Sequence, residues 1–191
     1  PSDSGATRVA IVAPVVVTAA VDTSFTFTVA GVAGVGNVNQ ESITGSSTAT
    51  TIPFGVLQPN TASTAAQQLS VATNASYGFA VTVKVNQQLI SSTGADIDGF
   101  SNGAFTATPI AWVPPTQSIS NENTWGHWGL TSDDASLTSG LTDPFDAGNL
   151  GQRFVSASTT PVEVFRHNGP SDGITQNIGT ARVGYKVEIS P

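Results

Sequence analysis

The sequence predicts an all-β fold, an antiparallel β-sandwich of the jelly-roll kind, on three observations. Apolar residues recur at every second position in several separate stretches, clusters of Gly, Pro and Asn divide those stretches, and no segment carries the spacing of a long amphipathic helix. Roughly eight or nine strand candidates result, enough for two packed layers. The 191 residues suit one unit of this class, with an N-terminal segment over 1–20 and the sandwich over 21–191. An immunoglobulin-like topology is the alternative arrangement. The lack of a fixed-period repeat disfavours a solenoid or propeller.

The first element, residues 8–18, reads RVAIVAPVVVT. It is β-branched and apolar on both faces, so it needs cover on both sides, and Pro14 confines it to an edge, a bulge or two short strands. Val21, Thr23, Phe25, Phe27 and Val29 then alternate with Asp22, Ser24, Thr26 and Thr28, the clearest half-buried strand in the chain. Gly31, Gly34, Gly36 and Asn37 end it. A loop and a strand near 47–52 follow, then turns at Pro53-Phe54-Gly55 and Gln58-Pro59-Asn60. Ala65, Ala66, Gln67 and Gln68 favour a brief helical turn.

Residues 67–88 are the best-patterned stretch. Leu69, Val71 and Thr73 share one face of a first arm, and Phe79, Val81, Val83 and Val85 share one face of a second. Between them Asn74-Ala75-Ser76-Tyr77-Gly78 has turn chemistry, which predicts a β-hairpin. Residues 117–134 suit either half of a strand or an ordered loop, and further strands are expected near 109–113, at Val155, at Val162, Val164 and Phe165, and at the end. There Val183, Tyr185, Val187 and Ile189 face one way, and Arg182, Lys186 and Glu188 face the other.

Charge and composition narrow the function. A net charge of −7 with six scattered cations gives no footprint for nucleic acid. Only 10% of residues are charged, so the surface is neutral and hydroxyl-rich and repels its neighbours weakly. The absence of Cys removes disulfides, thiolate metal sites and thiol nucleophiles. Opening at Pro1 with no Met anywhere, the chain reads as a mature secreted product whose leader has been removed. No apolar run reaches the roughly 20 residues of a membrane helix, so no membrane span is expected.

Candidate chemistry is sparse. His127 and His167 are the two imidazoles, no G-x-S-x-G occurs, and Glu41, Glu122, Glu163 and Glu188 lack an aromatic cleft signature, so no catalytic residue is assigned. Calcium is the one cofactor left open. Asp96 and Asp98 alternate before Gly99, and Asp133, Asp134, Asp143 and Asp146 form further acidic loop clusters, with ordinary Asp turns as the competing reading. Trp125 and Trp128 around His127 could stack on sugar, although their spacing does not put them on one strand face. Asn74-Ala75-Ser76 is a glycosylation sequon in an expected tight turn. Lys84 and Lys186 read as outward-facing and solubilising.

The order of these segments carries a resemblance. A β-rich start, the LSVATNASYGFAVTVKV stretch, a loop-rich middle and a closing VGYKVEIS strand resemble the TasA/camelysin class of secreted fibre proteins and the related cannula and bundling-pilus subunits. The resemblance is one of pattern over most of the chain. It implies a jelly-roll subunit that polymerises with other copies of itself, an N-terminal segment of one completing the sheet of the next, with calcium at some subunit contacts. The donor would be 8–18, with Arg8, Val9, Ile11, Val12, Val15, Val16 and Val17 at the interface. Burial of its apolar surface, at roughly 25 cal/mol per Å², would drive such docking. The implied function is a structural subunit of an extracellular filament or tube; the alternative is a carbohydrate-binding or cell-surface adhesion module built on Trp125 and Trp128.

Overall fold

The structure is a computed structural model and describes residues 19–90, 96–101, 106–140, 143–146 and 152–191. The expected donor segment, 8–18, lies outside the described residues. The described chain is all-β and sandwich-like. Its strands are β1 (Phe25–Gly31), β2 (Asn37–Val38), β3 (Glu41–Ser42), β4 (Ser63–Thr73), β5 (Phe79–Val83), β6 (Leu89–Ile90), β7 (Asp96–Gly99), β8 (Ile110–Ala111), β9 (Gly126–Ser132), β10 (Arg153–Phe154), β11 (Val162–His167), β12 (Ser171–Asp172) and β13 (Thr180–Ile189). Short 3-10 turns at Glu122–Thr124 and Leu137–Gly140 supplement them. No helix among the described residues is long and apolar enough to cross a membrane.

One large curled sheet runs in the order β1-β4-β13-β9-β7-β6, with β12 also on β4. It is mixed rather than purely antiparallel, because β7 pairs with β9 in parallel. Against its inner face lies the pair β5–β11. The core between them is Leu69 and Val71 from β4, Ala181, Val183 and Val187 from β13, Trp128 and Leu130 from β9, and Val164 and Phe165 from β11, with Phe79, Val81 and Val83 of β5 packed on it. Val164 and Phe165 are neighbours yet both fully buried, because the β5–β11 register shifts between Glu163 and Phe165.

The expected hairpin is replaced by an arch. β4 pairs with β1 and β13 in the large sheet, whereas β5 pairs with β11 in the other layer. Each arm has one apolar face, and stacking those faces buries both, which edge-to-edge pairing would not do. Gly78 makes the arch possible: its φ is +69°, and a Cβ there would lie 1.8 Å from His167 O. The expected helical turn is also absent. β4 already starts at Ser63, and Ala65 and Ala66 are fully buried on its two faces.

The outer face of β13 is covered too, contrary to the half-exposed strand the sequence predicts. The β2–β3 ladder lays Val38 over Gly184, where a Cβ would come within 2.6 Å of Val38 Cγ1. Val32, Val38, Ile43 and Ala66 form this second, smaller core. Lys186 is therefore not a solubilising side chain. It is 8% exposed, its Nζ donates to Glu41 Oε1 at 2.7 Å, and it sits 5.1 Å from the centre of the Trp112 ring. Lys84, by contrast, is exposed as predicted.

Candidate assembly site

β1 keeps the predicted alternation but not the predicted cover. Val29 lies opposite Leu69, Phe27 opposite Val71 and Phe25 opposite Thr73, so the three apolar side chains share the face that carries the core. Val29 packs against that core, but Phe25 is 59% exposed and Phe27 45%. Two aromatic rings on the inner face of the sheet are thus left exposed, on the edge strand of the described sheet.

Ser132 Oγ donates to Val164 O at 2.5 Å, and Asp134 Oδ2 accepts from Arg166 N at 2.7 Å, which ties β11 beneath the end of β9. The arch over 74–78 carries the chain from β4 to β5, which pairs with β11 and packs on the core that β4 lines. Among the described residues β11 is the one strand paired with β5, and β4 the one paired with β1. The core-bearing face of β1 at Phe25 and Phe27 and the second edge of β5 are thus both left without a strand laid on them among the described residues. Unpaired strand edges invite an added strand, because backbone N–H and C=O groups there have no ladder partner.

The chain enters β1 under restraint. Asn74 Oδ1 accepts from Ser24 N at 2.8 Å, and Asn74 Nδ2 donates to Asp22 O at 2.9 Å. Thr73 Oγ1 adds a bond to Ser24 O at 2.6 Å. Residues 22–24 are thereby held alongside the arch, and residues 19–24 are all exposed. The sequence marks Asn74 as a turn residue and a sequon. Its partners lie 50 and 52 positions away, so the clamp has no local signal.

The predicted calcium residues fall in separate places. Asp96 and Asp98 stand two apart on β7, Asp98 buried with its carboxyl pushed above the usual range by burial and then by the charges of Asp96 and Glu122. Asp133 Oδ1 accepts from Arg182 N at 2.6 Å, and burial raises its carboxyl although that bond opposes the shift. Buried Asp134 accepts from Ser136 N, Ser136 Oγ and Arg166 N. Asp143 Oδ1 accepts from Phe145 N at 2.9 Å, its carboxyl also raised by burial, and the backbone of Asp146 forms an antiparallel β-bridge with that of Gln152. These are bonds that shape loops. Among the described residues no group of three or more His, Cys, Asp or Glu side chains is placed to hold a metal ion.

The sugar platform is not assembled from both indoles. Trp128 is 5% exposed, in the core, with its Nε1 donating to Gln88 Oε1, while Trp125 remains exposed. His127 is fully buried against Phe100 and Trp112, and burial pushes it down to about 4. A hollow of about 770 Å³ opens between Val85, Gln88, Thr106, Ser156 and Val162. Its carboxylate, Glu163, is already paired with Arg166 at 2.9 Å.

Compared with known proteins, the chain matches no family model, no curated protein and no solved structure.

Proposed function

We propose that the protein is a structural subunit of an extracellular filament or tube, polymerising head-to-tail by donor-strand complementation, with 8–18 as the donor strand. The observation that carries this reading is the uncovered apolar stripe of β1, where Phe25 and Phe27 stay exposed on the core-bearing face of an edge strand. An apolar strand laid beneath that stripe would bury both rings and pair a free backbone edge in one step. Segment 8–18 has the required character, being β-branched and apolar on both faces. A contact of this kind joins two different surfaces of one molecule, so it propagates unless it closes into a ring. The low charge lets copies approach closely. Any calcium would act at contacts between copies.

Electron microscopy of the full chain and of a chain lacking 1–18 tests the reading. Long polymers are expected from the first and monomers from the second. Normal polymers from the truncated chain would overturn the donor assignment.

A further inference from the structure

We infer that a lane lies beneath Phe25 and Phe27 along the free edge of β5, that it takes the 8–18 segment of a second copy, and that Asn74 is the positioning residue that keeps the segment from filling its own lane. The inference rests on the proposed head-to-tail assembly and names its acceptor and the device that directs it.

The acceptor follows from what is uncovered. Phe25 and Phe27 are exposed on the face of β1 that carries the core, β5 packs on that same core, and the edge of β5 away from β11 has no strand partner among the described residues. β5 is five residues long, Phe79–Val83. In the donor, residues 9–13 form an equal run before Pro14, so the proline, which has no N–H to give a ladder, falls past the end of the pairing.

The choice between own and foreign segment follows from the exit path. β1 begins at the arch end of β4, since Phe25 lies opposite Thr73. To fill its own lane the chain would reverse just before β1 and run back beneath it. Asn74 holds Asp22 and Ser24 by their backbones, which leaves the reversal to residues 18–21. These are Thr18-Ala19-Ala20-Val21, with no Gly, Pro, Asn or Asp among them. The residues that do have turn chemistry, Asp22 and Ser24, are the ones the clamp occupies. The segment is therefore directed away from its own sandwich, toward a neighbour. The sequon gains a meaning here as well, because Asn74 Nδ2, the atom that would carry a glycan, is the one bonded to Asp22 O.

The absence of native Cys makes a clean test possible. Full-length chains would carry one cysteine at Ile11, Val12 or Ala13 and one at Ala80 or Thr82, the exposed positions of β5, and be oxidised and run unreduced. A ladder of disulfide-linked oligomers is expected from at least one pair. Adding Asn74→Ala should shift the product toward an internally closed monomer, with about a tenfold fall in the ratio of linked oligomer to closed monomer, as the loss of two exposed hydrogen bonds allows. Closed monomers alone with Asn74 intact would overturn the assignment to a second copy. No disulfide from any pair, while microscopy still shows polymers, would overturn the lane but not the polymer. A ladder indifferent to Asn74→Ala would overturn the clamp. Absence of polymers from the parent chain would remove the head-to-tail reading itself.

Discussion

Replacing both Phe25 and Phe27 by Asp separates assembly from folding, because the rings are exposed in the isolated chain and useful only once a strand lies beneath them. A Phe side chain presents on the order of 200 Å². With 59% and 45% of the two exposed, roughly 200 Å² in all remains to be buried, or about 5 kcal/mol at about 25 cal/mol per Å². That is a ceiling, since ordering the incoming strand offsets part of it. Even half of it corresponds to roughly a hundredfold change in the concentration at which polymers form. Inward-pointing charge on an edge strand also obstructs the arrival of another strand. Light scattering against protein concentration, with electron microscopy of the product, measures the threshold. Thermal unfolding of the unassembled chain supplies the control and should change little, because substitutions at exposed positions rarely move stability by more than about 0.5 kcal/mol. A double variant that polymerises at the parent's threshold would refute the reasoning, and with it the claim that this stripe is where copies join.

His127 should make stability fall in mild acid. Its value is about 4 in the folded chain against 6.5 in the open, so the unfolded chain binds the extra proton between those limits. Stability is then full above about pH 6.5 and declines as pH drops toward 4, by roughly 3 kcal/mol in all. The carboxyls of Asp98, Asp133 and Asp143 are raised by desolvation, so their contribution has the opposite sign and is lost as pH rises through their folded values. Comparing thermal midpoints of the parent and His127→Gln at about pH 7 and pH 4.5 isolates the imidazole, and identical pH dependence would rule its burial out as the cause. Asp134→Ala strips the acceptor from Ser136 N, Ser136 Oγ and Arg166 N at a fully buried position. Urea unfolding should show a loss of roughly 3 kcal/mol, whereas a loss under about 0.5 kcal/mol would mean that water replaces those bonds.

Much of the fold is legible in period-two patterning, which places β1, β4, β5, β11 and β13 where the structure has them. Such a pattern records that one face is buried and not what buries it. For β4 and β5 the same alternation suits a hairpin and an arch equally, and the decision lies with core faces that must meet and with a glycine whose Cβ would strike His167 O. For β13 the polar face reads as solvent-facing, yet the β2–β3 ladder and Trp112 close over it and turn Lys186 into half of a part-buried ion pair with Glu41. Local sequence cannot announce a partner 145 residues away.

The same limitation, turned round, locates the candidate site. In β1 the alternation demands cover for Phe25, Phe27 and Val29, and the described chain supplies it for Val29 alone. A strand whose sequence asks for burial that its own fold withholds is in local conflict, and folded sequences keep such conflicts chiefly where function uses them. In this chain the conflict comes just after a segment whose sequence calls for cover on both faces, and β5 has a second edge with no strand partner among the described residues. Each deficit is the kind the other would satisfy, one lacking a strand and one lacking a sheet. On the proposed assembly, the clamp at Asn74 would decide between satisfying them within one molecule, giving a closed monomer, and between two, giving a chain of copies. Disulfide trapping distinguishes those outcomes directly, since the first yields a closed monomer and the second a ladder.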